Sequence, residues 1–383
     1  MSTVASPAGD DDRLARVALS RLTEPGEPKI ASLVAQLGAV RLRELLSDPE
    51  RDTPESRDVA SRLSSVDPVR ELEQAHRLGI RYLVPGDDEW PTQLDDLHRS
   101  ETLDHRGGPP LGLWVAGPTR LDRLGGAVAI VGARSATTYG ADIAASIAGG
   151  LVRAGHPVVS GAAFGIDQAA HRGALAVEGA TVAVLACGAD RSYPSAHHEL
   201  LQHLRRTSAV VAEVPPGCAP MRGRFLSRNR LIAALTRATV VVEAAARSGA
   251  LSTAGWATRL NRAVMGVPGP ATSAQSEGVH DLIRSGAATL VTRAEEVLEI
   301  VGVSGEHLVT PRRAPSRRRD RLPPRDGRVL DAVPLTSPRP VDSIAATAGM
   351  ALLDVQARLR RLERDGLVEL LPRGWCLTAE ANQ

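Results

Sequence analysis

The sequence is poor in the residues that usually build aromatic cores, disulfide frameworks and metal sites. Phenylalanine, tyrosine and tryptophan make up only 2% of its 383 residues, so the core must consist mainly of Val, Leu, Ile and Ala. Cys187, Cys218 and Cys376 lie far apart, and none forms a Cys-x-x-Cys or Cys/His pair with metal spacing. This cysteine usage favours a reduced, cytoplasmic compartment, and no metal or cofactor is expected.

Lysine is almost absent, and the net charge is small. Lys29 is the one lysine among 46 basic residues, and the net charge is +2. The excess of arginine has two readings that stay open: recognition of phosphates by planar guanidinium groups, or codon bias in a GC-rich genome. No apolar run reaches about 18 residues and the N-terminus is acidic, so neither a membrane span nor a signal peptide is predicted.

Glycine-rich loops follow apolar runs at three places, residues 131–135, 160–167 and 248–254. In an open parallel sheet such loops gather at the carboxyl edge of the strands, where ligands bind. Backbone N–H groups at helix starts favour anions, so the sequence predicts a groove for several phosphates. The loop residues expected to contact them are Gly132, Arg134, Ser160, Gly161, Gly165, Ser248, Gly249 and Thr253.

Strand-like and helix-like stretches alternate from residue 128 onward. The predicted strands are near-continuous apolar runs, which is typical of strands covered on both faces. The pattern predicts an α/β fold with a doubly wound, extended Rossmann-like, mostly parallel sheet. The predicted strands lie at 128–132, 157–160, 181–186, 209–213, 239–243, 263–267 and 288–291. The Pro/Gly-rich stretch 85–118 is interpreted as a lead-in segment to this sheet.

Four regions are predicted along the chain. Residues 1–65 form a small helical, SAM-like domain, and residues 66–301 form the Rossmann-like core with its lead-in segment. Residues 302–324 form an Arg-rich linker that either grips a phosphate backbone or serves only as a soluble tether. Residues 325–383 follow the order helix, helix, helix, hairpin of a winged helix.

Arginines on the third helix of the tail leave the role of the winged helix open. The helix predicted at 352–365 carries Arg358, Arg360, Arg361 and Arg364, and winged helices usually place this helix in the major groove of DNA. Many winged helices bind proteins instead. Duplex DNA and a protein partner therefore remain alternatives for this region.

A short segment between the predicted fourth and fifth strands combines arginines with an aromatic residue. Basic side chains that follow a backbone, with an aromatic ring that stacks on bases, are typical of single-strand binding. The alternatives are that Phe225 anchors the following helix in the core and that Arg230 forms an internal salt bridge. The candidate residues in this segment are Arg222, Phe225, Arg228, Asn229 and Arg230.

Two further polar features have mainly structural interpretations. Asp167 suits the first turn of a helix and is interpreted as a structural carboxylate rather than a catalytic base. His197 and His198 are adjacent, which is the wrong spacing for one helical face, and both are expected to face solvent. The first loop lacks Gly-x-Gly-x-x-Gly and no P-loop motif occurs, so the common nucleotide fingerprints are missing.

Taken together, these motifs resemble the DNA-processing protein A (DprA/Smf) family. The resemblance runs in order through the whole central domain. It departs from the family at Leu226, where proline is common, and at Ala162-Ala163, which make the second loop bulkier. The matching motifs are Val-Gly-Ala-Arg at 131–134, Ser-Gly-Ala-Ala-Phe-Gly-Ile-Asp at 160–167, Tyr-Pro at 193–194, Phe-x-x-Arg-Asn-Arg at 225–230, Ser-Gly-Ala-Leu-Ser-Thr-Ala at 248–254 and Val-Pro-Gly at 267–269.

The resemblance implies a non-catalytic protein that binds single-stranded DNA. Such a protein shelters incoming strands during natural transformation or recombination, helps to load the RecA recombinase and acts as a homodimer. One alternative is a phosphoribohydrolase of the "lonely guy" type, which shares the fold. Those enzymes carry a catalytic glutamate where this chain has Trp256, three residues after Thr253. Another alternative is a nucleoid or transcription factor that acts mainly through the tail.

Overall fold

The computed structural model describes residues 9–48, 53–303, 305–308 and 317–382. The chain divides into two compact units, Met1–Val309 and Thr310–Gln383. The N-terminal helices belong to the same unit as the sheet, and the finer boundary at residue 65 stays a prediction. Of the predicted linker, residues 304 and 309–316 lie outside the described residues.

The first unit contains twelve α-helices and nine strands among its described residues. The helices are α1 (Asp10–Leu22), α2 (Pro28–Leu37), α3 (Ala39–Ser47), α4 (Pro54–Ser64), α5 (Pro68–Arg77), α6 (Thr138–Arg153), α7 (Ile166–Leu175), α8 (His198–Thr207), α9 (Arg222–Ala234), α10 (Gly249–Arg259), α11 (Glu277–Arg284) and α12 (Ala294–Val301). The strands are β1 (Ile80–Leu83), β2 (Leu113–Ala116), β3 (Val128–Val131), β4 (Val158–Ser160), β5 (Thr181–Leu185), β6 (Ala209–Ala212), β7 (Ala238–Val241), β8 (Ala263–Gly266) and β9 (Thr289–Leu290). None of the described helices is both long and apolar enough to cross a lipid bilayer.

All nine strands join one sheet in the order β1-β2-β6-β5-β4-β3-β7-β8-β9. The seven strands from β6 to β9 in this order pair in parallel. Every residue of β3, β5, β6 and β7 is buried, as expected for strands covered by helices on both faces. The predicted doubly wound, mostly parallel α/β sheet is confirmed.

Helices cover both faces of the sheet, and the face they cover differs between the two sides of β3. Ile147 of α6 and Ala170 of α7 pack against Val128 and Ile130 on one face. Helices α9, α10 and α11 pack on the other face, where Trp256 joins the core beneath β7 and β8. The connections therefore change face between β3 and β7, which is the switch point of a doubly wound sheet.

Two antiparallel strands, β1 and β2, extend the sheet beyond β6 and were missed by the sequence analysis. β1 pairs with β2, and β2 pairs with β6. Tyr82 lies opposite Trp114, and the centroids of their rings are 4.4 Å apart. Each strand has only four residues, and β2 lies within the stretch interpreted as a lead-in segment. A run this short, in a region rich in proline and glycine, shows no clear alternation from which a strand can be predicted.

The N-terminal helices pack against the first unit's core and are stabilised by both apolar contacts and ion pairs. Val17 of α1 and Ala75 of α5 join the core formed by β1, β2 and α8. Arg21 of α1 pairs with Glu71 of α5 at 2.7 Å, while Arg224 of α9 pairs with Glu24 at 2.7 Å. These contacts bring the helices against the segment that leads from β6 into α9. Lys29 is exposed on α2.

The second unit has the predicted winged-helix order. Its core is formed mainly by aliphatic side chains of the three helices with Trp375 of the hairpin. Arg358 is bound to Asp326 and Asp354, so it stabilises the unit from within. The elements are α13 (Pro324–Ala332), α14 (Val341–Ala348), α15 (Leu352–Arg364), β10 (Val368–Leu371) and β11 (Gly374–Leu377).

Candidate functional site

A cavity of about 870 Å³ opens at the carboxyl edge of the sheet. Its walls come from the segments that follow six strands, β3 to β8. The cavity lies at the switch point between β3 and β7, where doubly wound sheets bind their ligands. The first and third glycine loops line it directly, and the second contributes Ala163 and Asp167.

The first loop packs closely against Ile166 and Glu243, and its residue Arg134 is exposed to solvent. A Cβ on Gly132 would lie 2.5 Å from Ile166 and 2.8 Å from the carbonyl oxygen of Glu243, so only glycine fits there. The carboxylate of Glu243 accepts hydrogen bonds from the backbone N–H and the hydroxyl of Thr137 at the start of α6. Arg134 is exposed and lines the cavity. Its guanidinium is therefore available to a ligand.

The second loop is stabilised by contacts with its neighbours in the fold. Ser160 is fully buried and its hydroxyl donates to the carbonyl oxygen of Ile130 at 2.6 Å. Gly165 has φ +76°, and a Cβ there would lie 2.3 Å from the carbonyl oxygen of Ala133. The N–H of Ala163 donates to the carboxylate of Asp167 at 3.3 Å. The hydroxyl of Ser160 is therefore not available to a phosphate, whereas phosphate contacts of Gly161 and Gly165 stay a prediction.

Asp167 and Arg228 are two buried charged residues at the floor of the cavity, and each influences the pKa of the other. Arg228 donates to the carbonyl oxygen of Val184 at 2.7 Å, and a Cβ on Gly161 would lie 1.8 Å from its Nη1. Burial raises the pKa of Asp167, although the charge of Arg228 and the N–H of Ala163 oppose this shift. Burial likewise lowers the pKa of Arg228, against the charge of Asp167. Both residues line the cavity, so Arg228 brings positive charge to its floor.

Arg230 does not reach the cavity, and its predicted phosphate contact is wrong. The side chain is 0% exposed and pairs with Glu213, with Nη2 and Oε1 separated by 2.6 Å. It also donates to the backbone carbonyl oxygens of Gly108 and Ser227. The internal salt bridge, which was the alternative for this residue, is what the structure contains.

The N-terminal part of α9 places Phe225 between two arginines. Phe225 is half-buried and lines the cavity, and its ring does not belong to the buried core clusters. The guanidinium carbons of Arg134 and Arg228 lie 5.0 and 6.0 Å from the ring centroid. The ring of Tyr193 is 5.6 Å away. Arg222, in the first turn of α9, is exposed at the same cavity. Phe225 is thus held at the cavity wall with part of its ring accessible.

The third loop presents the N-terminus of α10 to the cavity. The hydroxyl of Ser248 accepts from the N–H of Ala250 at 3.3 Å and caps the helix. A Cβ on Gly249 would meet nothing within 4 Å, so the space beside it is open. Asn229 donates to the carbonyl oxygen of Gly249 at 3.2 Å and ties α9 to α10. Thr253 is buried but lines the cavity. A helix start exposed in this way favours an anion.

Sequence reasoning missed Arg247 and Gln275, which also line the cavity. Arg247 is exposed and immediately precedes the third glycine loop, so its position beside Ser248 was a usable signal. Gln275 follows β8 in a segment without a glycine motif. With Arg247 the described lining holds four arginines, and its one carboxylate is the buried Asp167. The arrangement can therefore bind polyanions.

Comparisons with known proteins agree with this geometry. The family model described as DNA recombination-mediator protein A matches residues 81–302. A putative DNA processing protein DprA of Mycobacterium tuberculosis is 42% identical over 369 residues, covering 95% of this chain and 94% of that protein. Protein Smf of Escherichia coli is 36% identical over 304 residues, covering 77% and 76%.

Two solved structures are also similar. DNA processing protein A of Streptococcus pneumoniae has a TM-score of 0.63 at 29% identity, covering 76% of this chain and 97% of that one. A structure of DNA processing protein A from Helicobacter pylori that addresses its single-stranded DNA binding mode has a TM-score of 0.50 at 27% identity, covering 57% and 95%. With the matched motifs and the shared fold, the chain belongs to the DNA recombination-mediator protein A family, whose curated relatives carry the names DprA and Smf.

Proposed function

We propose that the chain binds single-stranded DNA in the cavity at the carboxyl edge of its sheet. The observation that carries this proposal is the group of four lining arginines, Arg134, Arg222, Arg228 and Arg247, around the half-buried ring of Phe225. Arginines neutralise successive phosphates, and the aromatic ring stacks on a base without regard to sequence. The relative from Helicobacter pylori, whose structure addresses single-stranded DNA, supports this choice of ligand.

In the cell, the proposed role of the protein is to shelter incoming or recombining strands and to help to load the RecA recombinase onto them. It acts as a cytoplasmic homodimer in natural transformation or homologous recombination. The family description as a recombination mediator supports this role. The role is one of binding rather than catalysis, since Trp256, at the position where phosphoribohydrolases carry a glutamate, is buried in the core.

The salt dependence of binding to a labelled oligothymidylate tests the proposal, with fluorescence anisotropy as the readout. Each lost phosphate contact lowers the slope of log K against log salt by about 0.7 on single strands. Arg134→Ala is therefore expected to bind more weakly and to give a flatter salt dependence. A matched control is Arg77→Ala, which removes an exposed arginine that pairs with Glu73 on α5, away from the cavity.

Equal affinity and equal salt slope for a folded Arg134→Ala and the wild type would contradict the proposed site. A duplex of the same length, used as a competitor, checks the preference for single strands. Assembly of RecA filaments on the same oligonucleotide, with and without the protein, tests the mediator role separately. No acceleration by the wild type would refute that role while leaving strand binding intact.

A further inference from the structure

Nearly all accessible aromatic rings of this protein lie at one edge of the sheet. The sequence has only two phenylalanines and three tyrosines, and four of these five residues follow the carboxyl ends of strands. The fifth, Tyr82, is buried in β1, and the four tryptophans are at most 5% exposed. Large aromatic side chains usually contribute their area to a core or an interface. The four rings at the edge are Tyr139, Phe164, Tyr193 and Phe225.

Phe164 is an exposed residue of the second glycine loop. It is 44% exposed, although Gly161 and Ala162 in the same loop are buried. Its ring packs edge-on against His197, with centroids 4.6 Å apart and planes at 67°. His197 is buried, contrary to the expectation that it faces solvent, and its Nδ1 is bonded to the carbonyl oxygen of Ala162 at 3.0 Å. The ring of Phe164 is thus held at one edge, and part of its surface stays open.

Tyr193 is a second exposed ring, and it lies at the cavity. It is 43% exposed, lines the cavity and lies 5.6 Å from the ring of Phe225. It stands four residues before His197, against which Phe164 packs. The segments that carry Phe164 and Tyr193 follow β4 and β5, which are neighbouring strands about 4.8 Å apart. Phe164 and Tyr193 therefore lie on neighbouring segments at the same edge of the sheet.

We propose that Phe164 forms a second base-stacking site, on which the strand continues after it passes Tyr193 and leaves the arginine-lined cavity. This inference rests on the proposed function and adds the path of the strand along the sheet edge. Stacking on a ring places no cation beside a phosphate, so this site contributes affinity without adding to the salt dependence. An oligonucleotide too short to extend beyond the cavity does not use it.

Substituting tryptophan at Phe164 gives a direct optical test. Because the four native tryptophans are buried, Phe164→Trp introduces one exposed indole, which a stacked thymine quenches. We expect quenching by a thymidine dodecamer and little by a trimer. The control is Leu78→Trp, at a residue that is 60% exposed just before β1, at the amino edge of the sheet, and that is expected to show no quenching.

Phe164→Ala gives the matching affinity measurement. Because Phe164 is 44% exposed and its ring belongs to none of the buried core clusters, the melting temperature is expected to stay close to that of the wild type. Loss of one stacked base weakens binding of the dodecamer roughly tenfold, whereas the trimer is expected to bind as before. The salt slope is expected to stay unchanged, unlike that of Arg134→Ala.

The outcomes separate this inference from the function on which it rests. If the wild type fails to bind single strands, both are wrong. If the wild type binds and Arg134→Ala weakens binding, but Phe164→Ala binds the dodecamer normally and the indole is not quenched, only the second site is wrong. Phe164 would then belong to a surface for a protein partner.

Discussion

Arg228 and Arg230 are two residues apart on α9, yet they serve different purposes. Successive helical residues turn by about 100°, so side chains at this spacing point about 200° apart and cannot face one groove. Arg228 lies at the cavity floor, and Arg230 faces the opposite direction toward Glu213 and Gly108. Both resemble phosphate ligands in the sequence, and the helical phase of α9 was the signal that could have separated them. Their shared motif therefore combines a site residue with a structural one.

Arg230→Met is expected to destabilise the protein rather than weaken DNA binding directly. The change leaves Glu213, whose side chain is 12% exposed, without its partner, and breaking a fully buried ion pair costs about 3–5 kcal/mol, which is an upper bound here. Urea denaturation should show this loss, while single-strand affinity measured well below the melting temperature should change little. Adding Glu213→Gln should restore part of the stability. A large loss of single-strand affinity at unchanged stability would instead indicate that Arg230 contacts DNA.

His171 makes stability sensitive to mild acid. Its Nδ1 is bonded to the hydroxyl of Thr181 at 2.7 Å, and complete burial lowers its pKa to about 3. In the unfolded chain the pKa of histidine is about 6.5, so acid protonates the unfolded state first. The contribution of His171 to stability is therefore fully present above about pH 6.5 and is lost as the pH falls toward 3.

This linkage predicts the behaviour of His171→Asn. Between pH 7.5 and pH 5 the wild type is expected to lose about 2 kcal/mol through this group, from roughly 1.4 kcal/mol per pH unit below 6.5. The variant lacks the imidazole, so its free energy of unfolding should fall less over the same interval. Urea titrations at the two pH values measure the difference. Parallel losses in both proteins would contradict the role of His171.

At the scale of elements, the N-terminal part of α9 is a wall of the cavity rather than an anchor in the core. Phe225→Ala is expected to cost about 1–3 kcal/mol of single-strand binding and to change the melting temperature only slightly. Phe225→Leu is a matched variant that retains apolar volume but lacks a ring for stacking. If truncation instead costs about 3–5 kcal/mol of stability, as for a core phenylalanine, and affinity is unchanged, the stacking role is wrong.

The elements that could be predicted are those with a strong pattern. The seven parallel strands are apolar runs, and each was placed within two residues of its actual bounds. β1 and β2 could not be predicted, because their edge position depends on pairing with β6 across the fold. Helix α10 begins at Gly249, four residues before the predicted start at 253, because Ser248 caps a turn that resembles a loop in sequence. Local pattern thus located the site, while the bonds of the second loop depended on tertiary contacts.

At the scale of the whole molecule, the cavity belongs to one unit. Its lining residues fall between Val131 and Gln275, and the first unit is compact without residues 310–383. A chain ending at residue 309 is therefore expected to keep its affinity for single strands within a few-fold of the full chain. Anisotropy titrations of both proteins at the same salt concentration measure this.

Binding that is tens of times weaker for the shortened chain would assign the affinity to the Arg-rich segment and the winged helix. In the winged helix, Arg358 and Arg361 both pair with Asp326, while Arg360 and Arg364 are exposed on α15. Duplex DNA and a protein partner both remain open for this face. Anisotropy titration of a duplex, as long as the single strand used above, with the isolated tail (residues 310–383) distinguishes the two alternatives. Binding of the duplex by the tail would favour DNA, and no binding would favour a protein partner.

The near-absence of lysine has a practical consequence for studying this molecule. Acylating reagents attack amines and leave guanidinium groups intact, so among the side chains they address only Lys29. That residue is exposed on α2, which does not line the cavity. A dye or surface tether attached there leaves every arginine of the cavity unmodified. The composition that enriches the cavity in guanidinium groups therefore also provides a single side-chain amine for labelling in experiments that observe individual molecules on a DNA strand.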